Sequence, residues 1–66
     1  MSKLREMREE NGIKQEDMAE FLNISPSSYS KKECGMIRFS LSEARELAEY
    51  FGRSIEDIFS AYEVSR

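Results

Sequence analysis

Histidine and tryptophan are missing from this sequence, cysteine and proline occur once each, and glycine three times. With one thiol and no imidazole, an ordinary structural zinc site is excluded. A single cysteine cannot close an internal disulfide, so no disulfide framework substitutes for a core, and the chain suits a reducing, cytoplasmic compartment. No uncharged stretch approaches the ~18 apolar residues of a membrane span, and the N-terminus is too charged for a signal peptide, so no membrane partner is expected. Nothing supplies a histidine base, a cysteine pair or a glycine-rich phosphate loop, so no enzyme, cofactor or small-molecule ligand is expected. What is present is charge: Lys and Arg total 10, Asp and Glu 13, and charged residues make up 35% of the 66. Such a length allows one domain, residues 1–66, with a small core. The net charge of −3 stands at first against a nucleic-acid partner.

The remaining composition favours helix. Residues 2 to 11 read as a first helix, capped by Ser2, with Leu4, Met7, Arg8 and Asn11 as the inner stripe and Asn11-Gly12 as its end. Gln15 to Leu22 reads as a second, with Met18, Ala19 and Leu22 on one face and Glu16 and Asp17 at its positive start. Lys14 is a poor cap for it, and Asn23 tolerates the left-handed turn that follows. Ser25-Pro26 is the sharpest start signal: serine caps, and proline takes the first helical position. This third helix runs to Glu33 or Cys34, and Gly35 ends it. A loop follows over 35–41. Ser40 or Ser42 caps a fourth helix, and only Ser40 has a glutamate, Glu43, three residues on. Leu41, Ala44, Leu47, Ala48 and Phe51 then repeat at helical spacing up to Gly52. Ser54 caps a fifth helix containing Ile55, Ile58 and Phe59. No period-2 run is long enough for a strand, so the expected fold class is all-α, a compact bundle of five short helices.

The second and third helices meet through Asn23-Ile24-Ser25, with Ala19 small enough for a close crossing and Ile24 able to plug the angle. This is the helix-turn-helix pattern, over about residues 15–34. The match extends across the chain: Leu4, Arg8 and Gly12; Gln15 through Leu22; Ile24-Ser25; Ser28-Tyr29-Ser30-Lys31; Glu33 and Gly35; then Leu41, Ala44, Leu47-Ala48, Ile55, Ile58 and Phe59. From Leu4 to Phe59 the sequence resembles the phage-repressor-like (xenobiotic-response-element class) helix-turn-helix family. The stretch Tyr29 to Glu33 looks most like small phage or mobile-element regulators of that family.

The resemblance implies roles for matching positions. The third helix would lie in the major groove of double-stranded DNA, with Pro26, Ser27 and Lys31 at base-reading positions. An ammonium can reach guanine O6 and N7. Gln15 matches a phosphate-binding position at a helix start, and Ser25, Ser28 and Arg38 are further phosphate candidates. Ser25 is a cap first. Arg8 and Glu33 match a structural ion pair tying the first helix to the third. Tyr29 falls where the family buries its side chain, leaving the hydroxyl to reach a phosphate. Lys32 stands at a usually apolar position, and reads as a packed stem with its ammonium in water. Ile37 replaces a common basic residue, and Phe39 a frequent proline. Cys34 reads as an incidental exposed thiol.

Resolved along the chain, residues 1–23 carry a net −2, residues 24–38 a net +2, and residues 39–66 a net −3. The only net-positive segment is the one proposed to meet DNA. Few released counterions mean weak non-specific affinity, so binding would depend on base contacts and dimerisation. Two-fold dimers on palindromic operators answer the short reach of one recognition helix, and Phe59 and Tyr62 are the candidate homodimer contacts. The leading expectation is a sequence-specific transcriptional regulator, a repressor of phage or mobile-element type. A protein-interaction module of the same fold (an anti-repressor), and an antitoxin or restriction-controller regulator, remain alternatives.

Overall fold

The computed structural model describes residues 3–65. Its elements are α1 (Lys3–Glu10), α2 (Gln15–Leu22), α3 (Pro26–Glu33), β1 (Phe39–Ser40), α4 (Leu41–Phe51), α5 (Ile55–Ile58) and β2 (Val64–Ser65). Five helices stand where five were expected. The cap assigned to Ser2 lies outside the described residues.

Each helix start follows local chemistry. Ser25, Ser40 and Ser54 have extended backbones, and their side chains accept from the backbone N–H of Ser28, Glu43 and Asp57. At Ser40 the box closes, because the Ser40 N–H donates to Glu43 Oε1 at 2.8 Å. That decides between Ser40 and Ser42. The Lys14 side chain has no acceptor to offer α2. Its own N–H donates to Asp17 Oδ2 instead, at 3.3 Å.

Four helices end in one way. After α1, α2, α3 and α4, a residue at positive φ breaks the spiral: Gly12, Asn23, Gly35 and Gly52. The next N–H then reaches back to the helix, Ile13 to Arg8 O, Ile24 to Ala19 O, Met36 to Lys31 O and Arg53 to Ala48 O, at 2.9–3.0 Å. This is the Schellman closure. Asparagine is among the few non-glycine residues that accept the left-handed conformation readily, which is why Asn23 (φ 63°) stands beside three glycines.

The inner faces meet in one core. Leu4 and Met7 come from α1, Met18, Ala19 and Leu22 from α2, Tyr29 from α3, Ala44, Leu47 and Ala48 from α4, and Ile58 from α5. Asn11, expected on the inner stripe, is exposed, and its amide donates to Met7 O at 2.7 Å. Ala19 is 1% exposed where α2 crosses α3, and Ile24 packs half-buried against the core. The turn therefore fixes the angle between these two helices by sterics, without a long loop.

The chain also contains two strands that its pattern does not announce. Phe39 and Ser40 pair in parallel with Val64 and Ser65, and the Phe39 N–H donates to Glu63 O at 2.8 Å. Two residues are too few to show a period of two, so the 35–41 stretch reads as loop in the sequence. Side-chain burial explains the pairing. Phe39 (1% exposed) sits between Tyr29 and Phe59, with ring centroids 6.2 and 5.2 Å away, and Val64 (5%) closes over the same region. Phe39, which stands where the resembled family often has proline, is thus a central core residue.

Phe59 requires a correction. It was a candidate for contact with a second copy, but it is 6% exposed and packs on Phe39. α5 is only four residues long, so the chain turns after Ile58 and directs Phe59 inward. Tyr62, the other candidate, is 81% exposed.

Candidate nucleic-acid interface

The site grows from one buried carboxylate. Glu33 closes α3 and is 5% exposed. Arg8 of α1 donates to it twice, Nε to Oε2 at 2.8 Å and Nη2 to Oε1 at 3.1 Å. Tyr29 donates its hydroxyl to Oε2 at 2.6 Å, and Gln15 its amide to Oε1 at 3.0 Å. Arg8 Nη1 also donates to Ile13 O at 2.6 Å. Glu33 therefore joins α1, the start of α2 and α3 in one network. Among the described residues no buried side-chain polar atom lacks a partner, so the network meets the condition under which buried charge is tolerable.

The electrostatics follow from these contacts. Burial raises the Glu33 pKa, but hydrogen bonds from Arg8, Tyr29 and Gln15 outweigh it and hold the carboxyl below its ordinary range. Burial, and the bond its hydroxyl donates to the carboxylate, push the Tyr29 phenol well above its usual value. The hydrogen bonds that Arg8 itself donates to Glu33 raise its pKa further, against the opposing effect of burial. Glu33 stays ionised and Tyr29 protonated across the neutral range.

A second link lies on the other side of α3. Lys32 Nζ meets Glu43 Oε1 at 2.6 Å, with both side chains about nine-tenths removed from water or slightly less (15% and 14% exposed). Burial would raise Glu43, and the Lys32 ammonium and the Ser40 N–H hold it down. Lys32 thus packs its stem, as expected of a lysine at an apolar position, but its ammonium reaches a carboxylate and not open water. The Ser40-x-x-Glu43 cap was legible in sequence. Its reach to a lysine eleven residues earlier was not.

The network also changes several side chains named from sequence. The Tyr29 hydroxyl, expected to reach outward, is bound to Glu33; the i, i+4 spacing of the two was the available signal. Gln15 is half-buried with its amide on Glu33. Ser25 accepts from the Ser28 N–H and donates its hydroxyl to Ser28 Oγ at 3.0 Å. Pro26, Ser27 and Lys31 are exposed along α3, Ser28 is half-buried and Arg38 is exposed. The +2 of residues 24–38 resolves likewise. Glu33 is matched by Arg8 and Lys32 by Glu43, which leaves Lys31 and Arg38 as the exposed cations of that segment. Cys34 is a free, exposed thiol, its Sγ 3.4 Å from Lys31 O.

Among the described residues no cluster of His, Cys, Asp or Glu could hold a metal ion, and no helix is long and apolar enough to cross a membrane. What the network builds is an exposed helix, α3, whose inner residues are locked to three neighbours and whose outer residues are left unengaged. No curated protein matches the chain. A helix-turn-helix family model matches residues 4–58, which spans α1 through α5 and includes every residue of the Glu33 network. The chain belongs to the phage-repressor-like helix-turn-helix family of DNA-binding regulators, a family that is generally non-enzymatic.

Proposed function

We propose that this regulator is a sequence-specific repressor of phage or mobile-element type that binds a palindromic operator as a dimer and blocks a promoter. The observation that carries the reading is the division of α3: Tyr29 and Glu33 are buried and bonded, while Ser27 and Lys31 stand exposed on the other face and Pro26 is exposed at the start of the helix. A helix of eight residues is ~12 Å long, about the width of the major groove. Lys31 reads guanine, Ser27 donates or accepts, and Pro26 offers an apolar contact. Gln15, Ser28 and Arg38 lie against phosphates, with Ser25 setting the position of Ser28. Residues 1–66 act as one DNA-binding unit in the cytoplasm. Tyr62 is the residue carried forward for the dimer contact, since Phe59 is occupied within the core.

The test is selection of duplexes from a random pool at low salt, followed by sedimentation with and without the selected site. Enrichment of an inverted repeat, bound by two copies, supports the proposal. A folded protein that enriches no half-site supports the alternative of a protein-interaction module.

A further inference from the structure

The closure of α3 differs from its counterparts. At the equivalent position after α1 and α2 stand Ile13 and Ile24, both packed against the core, and after α4 the polar Arg53. After α3 stands Met36, which is apolar and 73% exposed, followed by Ile37 at 45%. An apolar residue here ordinarily packs back onto its own helix. Met36 does not, and Ile37 is left nearly half exposed, yet their backbone is held firmly. Met36 N–H and Ile37 N–H both donate to Lys31 O, at 2.9 and 3.3 Å. The pair is therefore presented at a fixed place relative to Lys31.

Along the sequence the surroundings are cationic, and the one acid that the fold brings from the C-terminal segment to the cavity beside this loop, Glu63 near Cys34 and Gly35, has its carboxylate capped by the Ser60 N–H at 2.8 Å. No acidic residue occurs from Cys34 through Ser42, and the two that flank this stretch, Glu33 and Glu43, are engaged by Arg8 and Lys32. Lys31 and Arg38 are exposed on either side of the apolar pair. A two-fold contact of this loop with its own copy would set like charges against each other. A polyanion with apolar C–H surface fits both features. If α3 fills the major groove, the segment beyond its end falls past the groove edge, where DNA presents deoxyribose between phosphates.

We propose that Met36 and Ile37 make an apolar contact to the deoxyribose edge of the minor groove bordering the major-groove segment held by α3, with Arg38 beside them holding the strand. This rests on the reading of α3 as the recognition helix. The pair adds affinity for sites whose minor groove admits it, without adding a phosphate contact.

The test uses the full chain on its selected operator, comparing wild type, M36S/I37S and K31A by hydroxyl-radical footprinting, which reports deoxyribose accessibility. The expected result is that wild type protects sugars flanking the major-groove contact. M36S/I37S loses that flank and about tenfold in affinity, with an unchanged salt slope and unchanged thermal midpoint, and K31A keeps the flank at protein concentrations that saturate the site. An identical footprint for M36S/I37S overturns the proposal and leaves the α3 reading intact. So does a loss traced by sedimentation to weaker self-association. Absence of any footprint with wild type overturns both.

Discussion

Arg8 and Glu33, twenty-five residues apart, meet through two parallel charge-assisted bonds in a site almost closed to water. The geometry ties the first helix to the end of the third, and Tyr29 and Gln15 complete the carboxylate's coordination. Breaking one partner leaves a buried charge unmatched. Glu33→Gln should therefore cost about 3–5 kcal/mol. For a chain of this size that is comparable to the whole stability of roughly 3–10 kcal/mol. Urea unfolding followed by circular dichroism measures it, and a loss under about 1 kcal/mol would show the network to be ornamental. Replacing both partners by apolar residues, R8M/E33L, should cost less than Glu33→Gln alone, because no lone charge remains.

The same network sets the response to pH. Glu33 and Glu43 are held below the ordinary carboxylate range in the native chain. The unfolded chain takes up protons below about pH 4.3 while the native one resists them. Stability from these groups is thus complete above that pH and is lost as pH falls through the depressed native values. Tyr29 acts at the other end. Its native pKa is raised, so its contribution is complete below about pH 10 and falls as pH rises beyond it. Denaturant midpoints from pH 2 to 11 should decline at both ends, and Tyr29→Phe should flatten the alkaline limb. An unchanged alkaline limb in that variant would remove Tyr29 as its source.

The tail is structural wherever it meets β1. Val64→Ala should destabilise the fold by about 2 kcal/mol, since Val64 is 5% exposed beside Phe39. Phe39→Ala should cost more, about 3–5 kcal/mol. Thermal midpoints check both. A neutral Val64→Ala would show that the tail merely lies on the surface.

Gly52 tests the helix closures by conformation alone. A Cβ there would meet nothing within 4 Å, yet φ is +67°. Gly52→Ala should therefore cost about 1 kcal/mol through backbone strain and not through collision. Asn23→Gly at the equivalent closure of α2 should be close to neutral or stabilising. Chemical denaturation of the two variants separates them, and equal effects would contradict the assignment.

The two exposed cations near α3 should behave differently on DNA. Lys31→Ala is expected to lose operator preference, about 1–3 kcal/mol of discrimination, while Arg38→Ala weakens specific and random duplexes alike and lowers the salt slope by about 1. Titrations at several salt concentrations distinguish the two patterns. Equal loss on both duplexes for Lys31→Ala would contradict its base-reading role.

Short-range chemistry along the chain encodes the helices and their order. Caps at Ser25, Ser40 and Ser54, and left-handed stops at Gly12, Asn23, Gly35 and Gly52, are encoded within four or five residues, so local reading finds them. The apolar spacing of Met18, Ala19 and Leu22, joined to Ile24 and Ser25, likewise disclosed the helix-turn-helix. Tertiary structure decided what depends on distance along the chain. It brought Gln15 onto the Glu33 carboxylate that the family resemblance pairs with Arg8, and Lys32 onto Glu43, so that the three cations of residues 24–38 became two exposed ones. It laid Val64 beside Phe39, because a two-residue strand leaves no period to read, and it packed Phe59 on Phe39 in the core. The negative charge that first stood against a nucleic-acid partner is compatible with one for the same reason. Glu33 in α3 and Glu43 in α4 are matched by Arg8 and Lys32, partners that only the folded chain brings within reach.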